Sequence, residues 1–169
     1  MTNIWLPLVK SSGPSWAGQP VVEATCSGAD PDQVWLVPGG GAGPLKHAAS
    51  GLCVAGDASQ PLALTDCATA PSWEVRADGT IARSAGSSCV SWNAENDLPH
   101  TPGNPVIAFA CDHPPAWNEL WFAPTAGASG LIRAAEGYRN SSTNLCAAVA
   151  PTVQSWALPW NSAWSLKNF

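Results

Sequence analysis

Short apolar runs of four to six residues alternate along this chain with Gly, Pro, Asn and Asp. Runs of that length between turn formers predict β-strands. No window sustains apolar residues at helical spacing over ten positions, so no amphipathic helix is predicted. Two units recur. In the first, a small and a polar residue precede Pro, and Cys stands six positions after it: Gly18 to Cys26, Ser59 to Cys67 and Gly103 to Cys111. A tryptophan follows each, in Gln33-Val34-Trp35, Pro71-Ser72-Trp73 and Glu119-Leu120-Trp121, while Ser162-Ala163-Trp164 is a fourth copy without a preceding Cys. The second unit is a short strand leading to an apolar-Cys segment: Leu45 to Ala48 before Cys53, Gly79 to Arg83 before Cys89, and Gly130 to Arg133 before Cys146.

Successive tryptophans of the first unit lie 38, 48 and 43 residues apart, and each interval holds roughly four short strands. So small a unit cannot bury its own apolar face, and several must close around a shared axis. Propeller blades would also suit the period, but about four are needed. Three four-stranded units predict an all-β fold, a β-trefoil of three four-stranded repeats. Trp35, Trp73, Trp121 and Trp164 are then core residues that plug the base of a barrel, not ligand platforms.

Composition narrows the class. Of 169 residues only 11% are charged, 46% are apolar and 10 are Trp, which excludes a disordered chain. No apolar run approaches the roughly 18 residues that cross a bilayer, so membrane insertion is not expected. Seven basic against 12 acidic residues argue against nucleic-acid binding. The six Cys form no CxxC pair and only three His accompany them, which predicts three disulfides in an oxidising compartment rather than zinc. The segment from Met1 to Pro7 lacks the basic, apolar and small-residue regions of a signal peptide. The expectation is the mature piece of a longer secreted protein, or export by another route.

Catalysis draws little support. His100 and His113 stand in Pro-rich loops, no nucleophile elbow is present, and no cofactor motif appears. Gly39 to Gly43 ends without Lys-Ser/Thr, so it is read as a flexible linker rather than a phosphate loop. Asn140-Ser141-Ser142 matches the N-glycosylation triplet, a pattern common by chance.

The apolar-Cys strand, the Cys strand and the Gln-x-Trp-like closing strand resemble the ricin B-chain type lectins, the QxW β-trefoils, over nearly the whole chain. Only Gln33-Val34-Trp35 carries the full triplet. In that family a second-strand Cys bonds the third-strand Cys of its repeat, which implies Cys53–Cys67 and Cys89–Cys111. Cys146 then has a second-strand context with no Cys after it, and Cys26 a third-strand context with none before. Pairing of six cysteines is not fixed by sequence. The simplest resolution joins Cys26 to Cys146 and splits one repeat between the chain termini. The repeats become 42–76, 79–124, and 14–38 with 130–150, leaving 1–13 and 151–169 as extra strands. The alternative places the trefoil at 42–168 and makes the Gln33-Val34-Trp35 copy the extra.

Relatives that bind galactose-type sugars use an Asp two residues after the second-strand Cys and an aromatic two before the third-strand Cys. An Asn just before the Gln-x-Trp-like triplet completes the set. The Cys53 repeat offers Ala55, Thr65 and Ala70, and the split repeat Ala148, Ala24 and Asp32. The Cys89 repeat matches at Phe109 and Asn118, with Ser91 at the Asp position and Glu119 or Asn93 as helpers. Trp92 and Trp117 flank it as platforms or seam covers. In the tail, Trp156 and Asn161 form another candidate set. The resemblance implies a secreted, non-catalytic carbohydrate-binding lectin or module whose partners are galactose- or N-acetylgalactosamine-type glycans. Rivals are a structural trefoil of a larger secreted or cell-surface assembly with a protein partner or parent enzyme, and a protease inhibitor acting through the loop from Glu95 to Pro105.

Overall fold

The computed structural model describes residues 15–92, 102–135 and 144–150. In chain order the strands are β1 (Val21–Thr25), β2 (Val34–Leu36), β3 (Ala42–Gly43), β4 (Lys46–His47), β5 (Cys53–Ala55), β6 (Gln60–Pro61), β7 (Ala63–Thr65) and β8 (Trp73–Val75). They continue as β9 (Ile81–Arg83), β10 (Ser88–Trp92), β11 (Val106–Ala110), β12 (Trp121–Phe122), β13 (Ser129–Leu131), β14 (Arg133–Ala134) and β15 (Leu145–Val149). Helical structure among the described residues is confined to two 3-10 turns, Pro31–Gln33 and Trp117–Glu119. The fold is all-β.

Three antiparallel sheets repeat one order: β2-β4-β5-β7, β8-β9-β10-β11 and β12-β14-β15-β1. The last joins the first described strand to the final one, with Val21 to Thr25 paired against Val149 to Leu145. β3 pairs with β8 and β13 with β2, while a Thr80–Leu120 bridge makes the corresponding link to the third sheet. The inner strands also touch. The Val21 N–H donates to the Leu62 carbonyl and the Leu62 N–H to that of Val106, both at 2.8 Å. The sheets therefore cover one another's edges, which leaves few unpaired backbone groups for another chain to engage.

Burial follows the same three-way equivalence. Leu45, Ile81 and Ile132 enter from the strand before each Cys strand; Val54, Val90 and Ala147 directly follow each Cys; Val21, Leu62 and Val106 stand five residues before the next one. All nine are buried. Alternation explains this, because on a half-buried strand every second side chain faces the core. The axis keeps a void of only about 10 Å³ lined by apolar side chains, with nothing to hold a water molecule. Trp35, Trp73 and Trp121 are fully buried, and each indole N–H finds a carbonyl, of Ala147 (2.8 Å), Val54 (3.0 Å) and Val90 (2.9 Å) respectively. A buried indole without that partner would be costly.

Disulfides join Cys26 to Cys146, Cys53 to Cys67 and Cys89 to Cys111. Three bridges suit an oxidising environment. In each hairpin the second-strand Cys faces the residue two before its partner: Cys146 opposes Ala24, Cys53 opposes Thr65 and Cys89 opposes Phe109. One expectation is corrected. The Gly39 to Gly43 run is not simply a flexible linker: Ala42 and Gly43 pair with Glu74 and Trp73 as a sheet edge. The proposed extra strands at 1–13 and 151–169, with Trp164, lie outside the described residues.

Candidate functional site

The strongest sequence-derived site sits on the β10–β11 hairpin and the turn after it. Cys89 and Ser91 share one face of β10, and Phe109 and Ile107 stand opposite them on β11. The other face sends Val90, Trp92, Val106 and Ala108 into the core. Phe109 is 45% exposed. At the same register the other hairpins carry Thr65 and Ala24, so this is the one that presents an aromatic ring.

Ser91, two residues further along β10, is fully buried. Its hydroxyl donates to the Trp92 carbonyl at 3.2 Å and accepts from Asn118 Nδ2 at 2.9 Å. Nδ2 also reaches the Trp92 carbonyl at 3.4 Å. The buried hydroxyl at the Asp position thus fixes Asn118 and is not presented to solvent. Asn118 Oδ1 has no hydrogen-bond partner among the described residues and can accept from a ligand hydroxyl. Ser91, to which Asn118 is tied, stands two residue steps, roughly 7 Å, along β10 from Cys89, which faces Phe109.

Glu119 does something else. It is 1% exposed, and its carboxylate accepts from the Asp112 N–H at 3.1 and 3.3 Å and from the Ala116 N–H at 3.3 Å. Burial raises its pKa above the ordinary carboxylate value, while those two N–H groups pull the other way. Gln33 holds the matching position two residues before Trp35: its Oε1 accepts from the Ser27 N–H and its Nε2 donates to the Thr25 carbonyl, each at 2.9 Å. In both repeats the side chain pins the residue just after the third-strand Cys, so Glu119 positions the turn that carries Asn118.

Trp92 is buried, 5.3 Å from the Trp121 ring centroid and 6.2 Å from that of Trp117. It covers the seam under the turn, and Trp117 is half-buried against its edge. Asn93, Trp156 and Asn161 lie outside the described residues, as does most of the loop from Glu95 to Pro105. In the split repeat, Asp32 donates its N–H to Asp30 Oδ1 at 3.0 Å, and burial followed by repulsion from Asp30 raises its pKa. No aromatic platform stands beside it at Ala24. Among the described residues no three His, Cys, Asp or Glu side chains gather as a metal-ligand set.

Sequence reasoning overlooked a second feature. An open cleft of about 490 Å³ lies between the end of the Cys26–Cys146 hairpin and the β12–β14 strands, and Phe122 and Arg133 line it. The signal was available: Trp121 points inward, so strand alternation turns Phe122 outward, where it is 54% exposed. No family model matches this chain, and no curated protein or solved structure matches it either.

Proposed function

We propose that the chain is a β-trefoil of the ricin B type that acts outside the cell as a carbohydrate-binding lectin or accessory module, without chemistry of its own. Its ligands are galactose- or N-acetylgalactosamine-type glycans. Three sheets of identical strand order, each with one disulfide hairpin and a buried tryptophan on its first strand, support the trefoil reading. The observation that carries the function is the pairing of an exposed Phe109 ring with Asn118, whose Nδ2 is fixed on Ser91 Oγ and whose amide oxygen has no hydrogen-bond partner among the described residues. A ring face receives the C–H side of a sugar, and a fixed amide reads a hydroxyl.

The site lacks the carboxylate that would give a stronger, charge-assisted bond to a hydroxyl, so monovalent affinity is expected in the millimolar range, around −4 kcal/mol. A glycan-array screen of the wild-type protein, Phe109→Ala and Asn118→Ala tests the reading. Galactoside binding abolished by either substitution supports it, and binding untouched by both moves the site elsewhere. No binding at millimolar sugar sinks the lectin reading and favours a structural module, whose partner-facing residues would include the exposed Leu36, Phe109 and Phe122.

A further inference from the structure

The cleft beside Phe122 is built on a cross-strand pair whose residue types the other two sheets do not repeat. Phe122 and Arg133 are a cross-strand pair. The equivalent pairs are Leu36 with Lys46 and Glu74 with Ala82, neither of which combines a ring with a guanidinium. The Arg133 guanidinium carbon lies 5.4 Å from the Phe122 ring centroid, within cation–π distance. Ala123, Pro124 and Leu131 supply an apolar wall, and Asn144 adds a polar group. At Gly28 an added Cβ would meet no described residue within 4 Å.

The charge is what sets this cleft apart. No Asp or Glu among the described residues lines it, although acidic residues outnumber basic ones in the chain 12 to 7. Arg76 and Arg83 stand within ion-pair reach of Glu74 (3.6 Å) and Asp57 (3.9 Å), whereas Arg133 has no ion pair among the described residues. A guanidinium that rests on a ring and has no carboxylate partner among the described residues is matched to an incoming one, which its planar fork engages through two parallel N–H···O bonds. We propose that this cleft is a second ligand subsite, separate from the Phe109 hairpin, that takes a carboxylated sugar such as a uronic acid residue: carboxylate on Arg133, ring against the apolar wall. The sugar identity rests on the lectin reading; the carboxylate rests on Arg133 alone.

Methyl β-galactoside and methyl β-galacturonide differ only in oxidation at the last carbon, so comparing them isolates the carboxylate. Titrations followed by amide NMR shifts would use the wild-type protein, Arg133→Gln, Phe122→Ala and Phe109→Ala. The expected result is that the galacturonide binds about tenfold tighter, that this preference shrinks as salt rises, and that it disappears in Arg133→Gln while surviving in Phe109→Ala. Equal binding of the two sugars, or a preference unchanged in Arg133→Gln, overturns the proposal. Galacturonide binding through Arg133 with no galactoside binding at Phe109 would sink the Phe109 site and leave this one standing. Galactoside binding through Phe109 with no galacturonide preference would do the reverse.

Discussion

Gln33 and Glu119 perform one task with different chemistry, and the difference has a pH signature. Each fastens the backbone just after a third-strand Cys, but Glu119 does so with a carboxylate that burial disfavours when charged. Its folded pKa is raised, so the folded state holds more protons than the unfolded chain between the ordinary value of 4.5 and the raised one. Stability contributed by this group therefore falls as pH rises through that window. Glu119→Gln should erase the slope and leave stability at neutral pH equal or higher, as read by thermal unfolding across pH. Glu119→Ala should lose about 2 kcal/mol, because the Asp112 and Ala116 N–H groups lose their acceptor. His47 behaves oppositely. It is fully buried against the Trp16 and Trp35 rings, and its Nδ1 lies 2.9 Å from Ser50 Oγ. Burial lowers its pKa below 6.5, with the nearby Asp32 and Asp30 acting in the raising direction. A lowered folded pKa means stability is lost as pH falls from 6.5 through the folded value. The drop in melting temperature between about pH 7 and about pH 5 should thus be smaller in His47→Gln than in the wild type. An equal drop in both would show that His47 is not its source.

At the level of the hairpin, the three cross-links differ in how much chain they close. Cys53–Cys67 spans 14 residues and Cys26–Cys146 spans 120. Loop-closure entropy grows with the logarithm of that span, giving about 3 kcal/mol for the short loop and almost 5 kcal/mol for the long one. Replacing both members of each pair by Ser should reproduce that order in denaturant titrations, with the Cys26/Cys146 variant the weaker protein. Elements were legible in the sequence wherever a spacing was enforced by packing. The Pro-to-Cys interval recurs because a core residue must stand five positions before each third-strand Cys, and the Trp copies recur because each indole reaches a carbonyl beside a second-strand Cys. Gly79, read as the start of a strand, instead turns the chain: it adopts φ +90°, and Asp78 Oδ1 accepts from the Thr80 N–H and hydroxyl. The Ala42–Gly43 edge was not legible, since a glycine-rich run carries no side-chain period to reveal its pairing.

For the molecule as a whole, the all-β class could be read from strand lengths alone, whereas the Cys53–Cys67 and Cys89–Cys111 bridges were implied by the family resemblance and Cys26–Cys146 was one of two resolutions for the cysteines left over. The candidate site was legible only as residue types. Phe109 stands exposed where a platform would be needed, but the burial of Ser91 and the backbone duties of Glu119 depend on a turn whose path no periodicity encodes. The Phe122–Arg133 cleft escaped because it is assembled from segments that belong to no single repeat. The pairing of β1 with β15 also imposes a timetable on biosynthesis. At about 5–20 residues per second, a ribosome that has made Cys26 needs about 6–24 s more to deliver Cys146, 120 residues later. During that interval the nascent chain carries a reduced thiol and an unpaired strand edge while Cys53 and Cys67 emerge beside it. Fidelity of assembly therefore depends on thiol exchange being slower than translation, or on an isomerase that undoes early mispairing.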